Sequence, residues 1–403
     1  MFIIYAGQNE HKPNHLANQK GEQAVNWVAI RMLTGDRVKF IGLVFGVAFS
    51  TLLITQQLTI FVNLIFRGGV AVQEVSTANV WVMDRATRTA DVIYPMPITA
   101  LDRVRSVPGV AYASPLLRSN ASIRTPEGDL EGVTVIGVDD SSLVGIPRRM
   151  SEGDPNRLMD PDAVFIDDVG SRKLFAPGQQ VIGSQLELND QRAIIKGIVD
   201  STPTFTAQVT LYTRYSNALN FVPGTRNRLS FVLVRTDENI SPNALARRIT
   251  EQTGLKARTT EEFTRDGIDF IIENTGIPIN FGITVVLGVI VGVAIVGLTF
   301  SLFIRDNIKQ FGALKAIGVT NRKIMVMVAA QSGLVALIGY GLGLTMAAGF
   351  IGGGAAGSDD FKGFYMPFQI PLITAALVLA IIALTGFIAI RSVLKTDPAS
   401  VFR

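Results

Sequence analysis

Two pairs of adjacent carboxylates, Asp139-Asp140 and Asp167-Asp168, are the residues of this sequence best placed to do chemistry. Neighbouring carboxylates can hold a hard cation through their oxygens. Each pair follows an apolar, strand-like run, and adjacent strand residues point to opposite faces. Both members of a pair could therefore converge on one ion only at a turn. A solvated turn is the expected reading, and no metal site is assigned. The only two histidines, His11 and His15, stand four residues apart in a polar N-terminal stretch. That spacing could bind a metal on a helix, but Pro13 lies between them and argues for a disordered tail. The sequence has no cysteine, which excludes disulfides, thiolate catalysis and cysteine–zinc sites. It has no Gly-x-Ser-x-Gly elbow, and no G-x-x-x-x-G-K-[ST] loop to cradle phosphates. No catalytic residue is expected. The formal charge of +4 is small, and no nucleic-acid partner is expected.

The elements around these residues belong to a membrane protein. Of the 403 residues, 48% are hydrophobic, and the mean hydropathy is +0.34, too apolar for an ordinary soluble enzyme. Four windows, 40–66, 283–304, 324–351 and 370–390, have about 20 or more residues without a charge, enough to cross a hydrocarbon core of about 30 Å. The first is read as an anchor rather than a cleaved signal peptide. Residues 1–39 before it are long and polar, and no small-residue cleavage site follows. Arg31, Arg37 and Lys39 flank the first span. Arg305, Lys309, Lys315, Arg322 and Lys323 fill the connection between the second and third, and Arg391, Lys395 and Arg403 follow the fourth. The connection between the third and fourth has only Lys362, beside Asp359 and Asp360. The positive-inside rule then places both termini in the cytoplasm and residues 67–282 on the other side.

The expected fold class is an α-helical membrane protein with four transmembrane helices in a 1+3 arrangement. A large α+β extracytoplasmic domain separates the first helix from the second. The organisation reads as a cytoplasmic tail and amphipathic lead-in helix over 1–39, an inserted domain with its stalk over 67–282, and a cytoplasmic segment over 305–323. An outer loop covers 352–369 and a cytoplasmic tail 391–403. Within the inserted domain, a strand at 79–84, a helix at 99–107 and a strand at 110–117 form one β-α-β unit. A second comprises RLSFVLVRT at 228–236, a helix capped by Ser241 with Pro242 after it, and LKARTT from Leu255. Two such units suggest a ferredoxin-like arrangement, with the strand-rich residues 125–225 inserted between them.

None of the spans carries a charge in its central part, which argues against a proton relay or ion pathway. They hold glycine pairs four residues apart: Gly42 and Gly46, Gly288 and Gly292, Gly339 and Gly343. This spacing puts both glycines on one helix face and allows close backbone approach, in a packed bundle or a dimer. Ser50, Thr51, Thr55, Gln56, Gln57, Thr59 and Asn63 could line a groove or bond between helices. The helical stretch from Glu261 runs almost directly into the second span, with Pro278 expected to kink the junction.

Between the second and third spans, Ile308, Phe311, Leu314 and Ile317 recur every three residues and read as one apolar stripe on a short helix. Gly318 suits a left-handed C-terminal cap, and Thr320 can cap the next helix. Such a helix would rest on lipid headgroups or dock a partner.

FGALKAIGV at 311–319, followed by NRKI, resembles the motif of FtsX-like permeases, and KTDPASVFR at 395–403 resembles the closing motif of that family. The 1+3 plan and the lead-in NWVAIRMLTGDR fit as well. The resemblance is greatest to MacB-type and DevC-like export permeases. It implies that the short helix is a coupling helix docked on an ATP-binding cassette subunit through Phe311, Gly312, Leu314, Lys315, Ile317 and Gly318. Where the family usually has an acid before the aromatic, this chain has Gln310. The resemblance further implies ATP and Mg2+ bound by a separate ATPase subunit as in DevC-like systems, a permease homodimer in the bacterial inner membrane, and export driven by mechanical transmission. A periplasmic adaptor (membrane fusion protein) and an outer-membrane channel are further partners in that picture. An FtsX-like regulator of cell-wall hydrolases and a lipoprotein-releasing permease are the alternative functions.

Overall fold

The computed structural model describes residues 30–75, 77–125, 128–204, 209–225 and 227–394. His11, His15 and the closing KTDPASVFR lie outside them. The chain divides into two compact units. One comprises Met1–Thr59, Asn280–Gly353 and Met366–Arg403, and the other Ile60–Ile279 and Gly354–Tyr365.

Among the described residues the helices include, in order, α1 (Arg37–Gln73), α2 (Thr99–Arg105), α3 (Asp168–Leu174), α4 (Tyr215–Phe221), α5 (Pro242–Thr253), α6 (Thr260–Asn274), α7 (Ile277–Asp306), α8 (Ile308–Ala316), α9 (Asn321–Gly357) and α10 (Gln369–Leu394), with residues 30–35 helical before α1. Four of them, α1, α7, α9 and α10, are long and apolar enough to cross a membrane.

The α+β unit is built on one ten-stranded sheet. Its first part joins β1 (Val80–Met83), β3 (Val110–Arg124), β11 (Phe231–Thr236) and β12 (Lys256–Thr259) in the order β12-β1-β11-β3, all antiparallel. With α2 following β1 and α5 following β11, this is the ferredoxin-like split β-α-β. Side chains alternate across the pleat. Val80, Val82, Val232 and Val234 enter one core. Trp81, Met83, Phe231 and Leu233 enter the other, where the Trp81 ring meets that of Phe231 edge-on at 5.3 Å. Both faces are therefore dry, which is why these strands are almost wholly apolar.

The long β3 carries the sheet onward. Its second half pairs with β4 (Leu130–Val138), and β9 (Thr210–Arg214), β6 (Ala163–Asp167), β8 (Gln191–Val199) and β5 (Met150–Gly153) follow in that order. β7 (Gln185–Leu188) bridges β3 and β8, and β2 (Met96–Pro97) pairs with β10 (Arg228–Leu229) in a separate two-stranded sheet. Ser241 accepts a hydrogen bond from the Ala244 N–H at 3.3 Å to start α5, Pro242 occupies the first turn, and Gly254 closes it at φ 71°. A capping box starts α6: the Glu262 N–H donates to Thr259 Oγ1 at 3.2 Å, and the Thr259 N–H to Glu262 Oε2 at 3.0 Å.

The junction after α6 differs from the kink expected at Pro278. The break falls at Thr275 and Gly276, where Thr275 is extended (φ −120°, ψ 156°). Pro278 is the second residue of α7, where its missing N–H has no intrahelical partner to lose.

Candidate functional site

The short helix α8 sits one residue beyond α7. Asn307 interrupts the helix, and its side chain turns back to donate to the Phe303 carbonyl at 2.8 Å. The C-terminal end closes in a Schellman motif. Gly318 takes φ 97° and its N–H meets the Lys315 carbonyl at 3.0 Å, while the Val319 N–H reaches the Leu314 carbonyl at 3.0 Å. Only a residue without a Cβ adopts that φ at little cost, so the sharp return into α9 depends on Gly318.

The four apolar residues of this segment do not share a face. At 3.6 residues per turn, a spacing of three slips about 60° at each step, so the fourth member ends opposite the first. Phe311 is 1% exposed and packs in the helical unit with Leu33, Phe303, Ile304, Ile324 and Val328. Ile308 and Leu314 are half-buried beside it, as is Lys315, and Gly312 is buried. Ile317 is 82% exposed. The outward surface consists of Lys309, Gln310, Ala313, Ala316, Ile317 and Gly318, continued by Arg322 and Lys323. The result is a basic knuckle with one bare isoleucine at its tip. Lys39 of α1 bonds Asp36 at 2.6 Å and Asp306, at the end of α7, at 2.5 Å, so the base of the first span is held against that of the second.

The paired glycines lie against α1 or belong to it. A Cβ on Gly46 would lie 2.7 Å from Ile295 Cγ2 and one on Gly292 2.6 Å from Ser50 Oγ. One on Gly339 would lie 2.6 Å from Val47 Cβ and one on Gly343 2.6 Å from Thr51 Cβ. A Cβ on Gly42 would make an ordinary contact with Thr299 Cγ2 at 3.5 Å, and one on Gly288 a tighter contact with Ile54 Cγ1 at 3.3 Å. Several polar residues of α1 bond within the protein. Ser50, Thr51 and Thr59 donate to carbonyls one turn back, and Thr55 Oγ1 donates to Thr374 Oγ1 of α10 at 3.2 Å.

A further glycine contact forms the stalk of the α+β unit. The last turns of α1 touch α6 backbone to backbone: a Cβ on Gly68 would lie 2.6 Å from the Gly267 carbonyl oxygen, and one on Gly69 2.6 Å from Thr264 Cγ2. Sequence reasoning missed it, although Gly68-Gly69 after an apolar span was a visible sign.

Among the described residues no group of three or more His, Cys, Asp or Glu gathers, and the two carboxylate pairs bond within the protein. Asp139 accepts from the N–H and hydroxyl groups of Ser141 and Ser142, and Asp140 caps α4 through the Ser216 N–H at 3.0 Å. The second pair departs from a solvated turn. Asp167 is 2% exposed, caps α3 by accepting from the Gly170 N–H, and takes the Thr210 N–H at 2.7 Å. Burial pushes its carboxyl up to about 6 against those bonds. Asp168 is an ion-pair partner of Lys362 and Arg172. Nearby Glu74, just past α1, accepts from the Thr202 N–H, and burial pushes it up to about 7.

Residues 282–398 match the model of the FtsX-like permease C-terminal family, and residues 40–252 that of the MacB-like periplasmic core domain. A macrolide export ATP-binding/permease protein MacB from Acinetobacter baylyi is 24% identical over 316 residues, which are 74% of this chain and 46% of that protein. An uncharacterized ABC transporter permease from Mycobacterium tuberculosis is 28% identical over 256 residues, 63% of this chain and 65% of its own. The chain spans less than half the length of the MacB proteins it matches. The periplasmic region of MacB from Actinobacillus actinomycetemcomitans superposes on 51% of this chain with a TM-score of 0.37 at 15% identity, covering 96% of that structure. The two family models together account for both the inserted domain and the three spans after it. The chain is a multi-pass inner-membrane protein and belongs to the family of FtsX-like, MacB-type ABC transporter permeases.

Proposed function

We propose that the chain is the membrane subunit of an ABC exporter that works by mechanical transmission. ATP, with its Mg2+, is hydrolysed on a separate ATPase subunit in the cytoplasm. Two permeases pair with two ATPases, and both permease termini face the ATPases. The α8 knuckle docks into the ATPase and is pushed when the nucleotide sites close. The push passes by chain continuity along α7, and α1 runs beside it into the stalk held at Gly68 and Gly267. The α+β domain moves on the outer side, where an adaptor and an outer-membrane channel would receive the substrate.

The observation that carries this reading is the division of labour within α8. Phe311 anchors the knuckle in the bundle, while Ile317, Lys309 and Gln310 stay bare. An exposed isoleucine ringed by Lys309, Arg322 and Lys323 offers a partner an apolar contact inside a charged rim. The docking set implied by the family motif therefore divides: Phe311 and Gly312 set the knuckle in place, and Ile317 and Gly318 present it. With Gln310 in place of an acid, the contact to the ATPase uses a neutral hydrogen bond.

Copurification of the ATPase subunit with the full-length permease tests this. Ile317→Asp is expected to lose the ATPase while inserting normally into the membrane. Retention of the ATPase at the level of the unaltered protein would remove the docking assignment.

A further inference from the structure

We propose that residues 354–365 form a charge-locked latch on the α+β unit, with Lys362 as its positioning residue. The use of this latch in transmission rests on the export reading above; its existence does not. The segment comprises the last turn of α9 and the start of the connection to α10; it is too short to form a domain of its own, yet Asp359, Asp360, Lys362 and Tyr365 are all bonded to other elements. Lys362 Nζ meets the carboxylate of Asp168, that of Asp200 at 2.7 Å and the Ser201 carbonyl at 2.7 Å. An ammonium has three N–H donors, and all three are taken. Arg172 then joins both sides of the contact, with Asp168 at 3.1 Å on its own helix and Asp359 at 2.8 Å on the segment.

The same segment is held from α1. Arg67 donates to the carbonyls of Asp360 at 2.6 Å and Lys362 at 3.3 Å, and its guanidinium lies 4.7 Å from the centre of the Phe364 ring. Asn63 and Tyr365 exchange two hydrogen bonds, Asn63 Nδ2 to the Tyr365 carbonyl at 2.7 Å and the Tyr365 N–H to Asn63 Oδ1 at 3.2 Å. Gly363, at φ 78°, turns the chain where a Cβ would come within 3.1 Å of Thr202.

A loop that only connects two helices needs length and solvent. This one presents carbonyls and charges to named partners on two elements: the stalk part of α1 (Asn63, Arg67) and the sheet domain (Asp168, Arg172, Asp200, Ser201). It therefore fixes stalk and domain together, with the Lys362 ammonium held by Asp168 and Asp200 of the sheet domain and the Lys362 carbonyl by Arg67 of the stalk.

Hydrogen exchange of the full chain in lipid nanodiscs tests the latch. Lys362→Met keeps the length of the side chain and removes its charge. It is expected to raise exchange of the amides of 358–365 and 199–203 about tenfold, with β1 and β11 unchanged, because local opening then loses its main polar tie. Lys362→Arg should stay near the native rate. The latch is overturned if Lys362→Met leaves both segments at native rates, or if Lys362→Arg behaves as Lys362→Met does. Should Lys362→Met fail to assemble, Asp359→Asn carries the test, with a smaller rise confined to 358–365 expected and no rise contradicting the latch. In complex with the ATPase, Lys362→Met should retain ATPase binding and lose coupled transport. Raised exchange with transport intact keeps the latch and overturns its role in transmission.

Discussion

Phe311 and Ile317 lie six residues apart on the same short segment, and the protein buries one and bares the other: Phe311 is 1% exposed, Ile317 82%. A single apolar stripe would have hidden or shown both. The slip of a three-residue spacing around an α-helix separates them, and the separation turns a connecting helix into an anchored, outward-facing knuckle.

The two residues should therefore fail in different ways. Phe311→Ala is expected to destabilise the helical unit by about 3 kcal/mol, within the range for emptying a buried aromatic site, and to lower the melting temperature in detergent. Ile317→Ala should change stability by no more than about 0.5 kcal/mol, as for other exposed positions, and so leave that temperature nearly in place. A thermal scan of both variants makes the comparison.

Gly343 and Gly333 lie on the same helix, α9, and provide a matched pair. A Cβ on Gly343 meets Thr51 at 2.6 Å, and one on Gly333 meets nothing within 4 Å. Gly343→Ala should destabilise by about 1–3 kcal/mol through overpacking against α1. Gly333→Ala should be neutral or slightly stabilising, since alanine is the better helix former. Equal effects of the two substitutions would contradict the close packing of α1 and α9.

The stalk contact makes a separate prediction. Gly267→Val forces α6 away from Gly68, so it should reduce transport at least about tenfold, the scale of 1.4 kcal/mol in coupling. ATPase copurification should be unaffected, since the knuckle is untouched. Loss of both would show that the substitution disrupts the fold rather than the transmission.

Glu74 and Asp167 set a pH dependence of known sign. Burial raises Glu74 from 4.5 to about 7 and Asp167 from 3.8 to about 6 in the folded protein. Each folded value lies above the unfolded one, so the folded state holds more protons in between. The contribution to stability is complete below the unfolded value and is lost as pH rises through the folded one. The melting temperature should accordingly fall between about pH 4 and 7. Glu74→Gln should flatten the upper part of that fall, from about 4.5 to 7, and leave the part due to Asp167.

Much of the plan was legible in the residues. Charge-free runs marked the four long helices, and the short apolar runs Val80-Trp81-Val82-Met83 and Phe231–Val234 marked strands. Ser241-Pro242 and Gly254 set both ends of α5 through local chemistry alone. Other features depend on distant partners. The acids that hold Lys362 lie 194 and 162 residues away, so no local pattern distinguishes it from any lysine in a loop. The glycine spacing showed a close-packing face but not its occupant, which for Gly46, Gly292, Gly339 and Gly343 involves α1. At α8 the residue types were legible, and their assignment to one face failed because period three is not the period of a helix.

The most direct test of the account uses the absence of cysteine from the chain. Ile317→Cys gives a single thiol at the knuckle tip, to be probed with a membrane-impermeant maleimide on intact spheroplasts and on inside-out vesicles. Labelling only in the inside-out vesicles, and its suppression when the ATPase subunit is added, is the result expected. Labelling from outside the intact spheroplasts would invert the topology, and unchanged labelling in the presence of the ATPase would remove the knuckle from the docking surface.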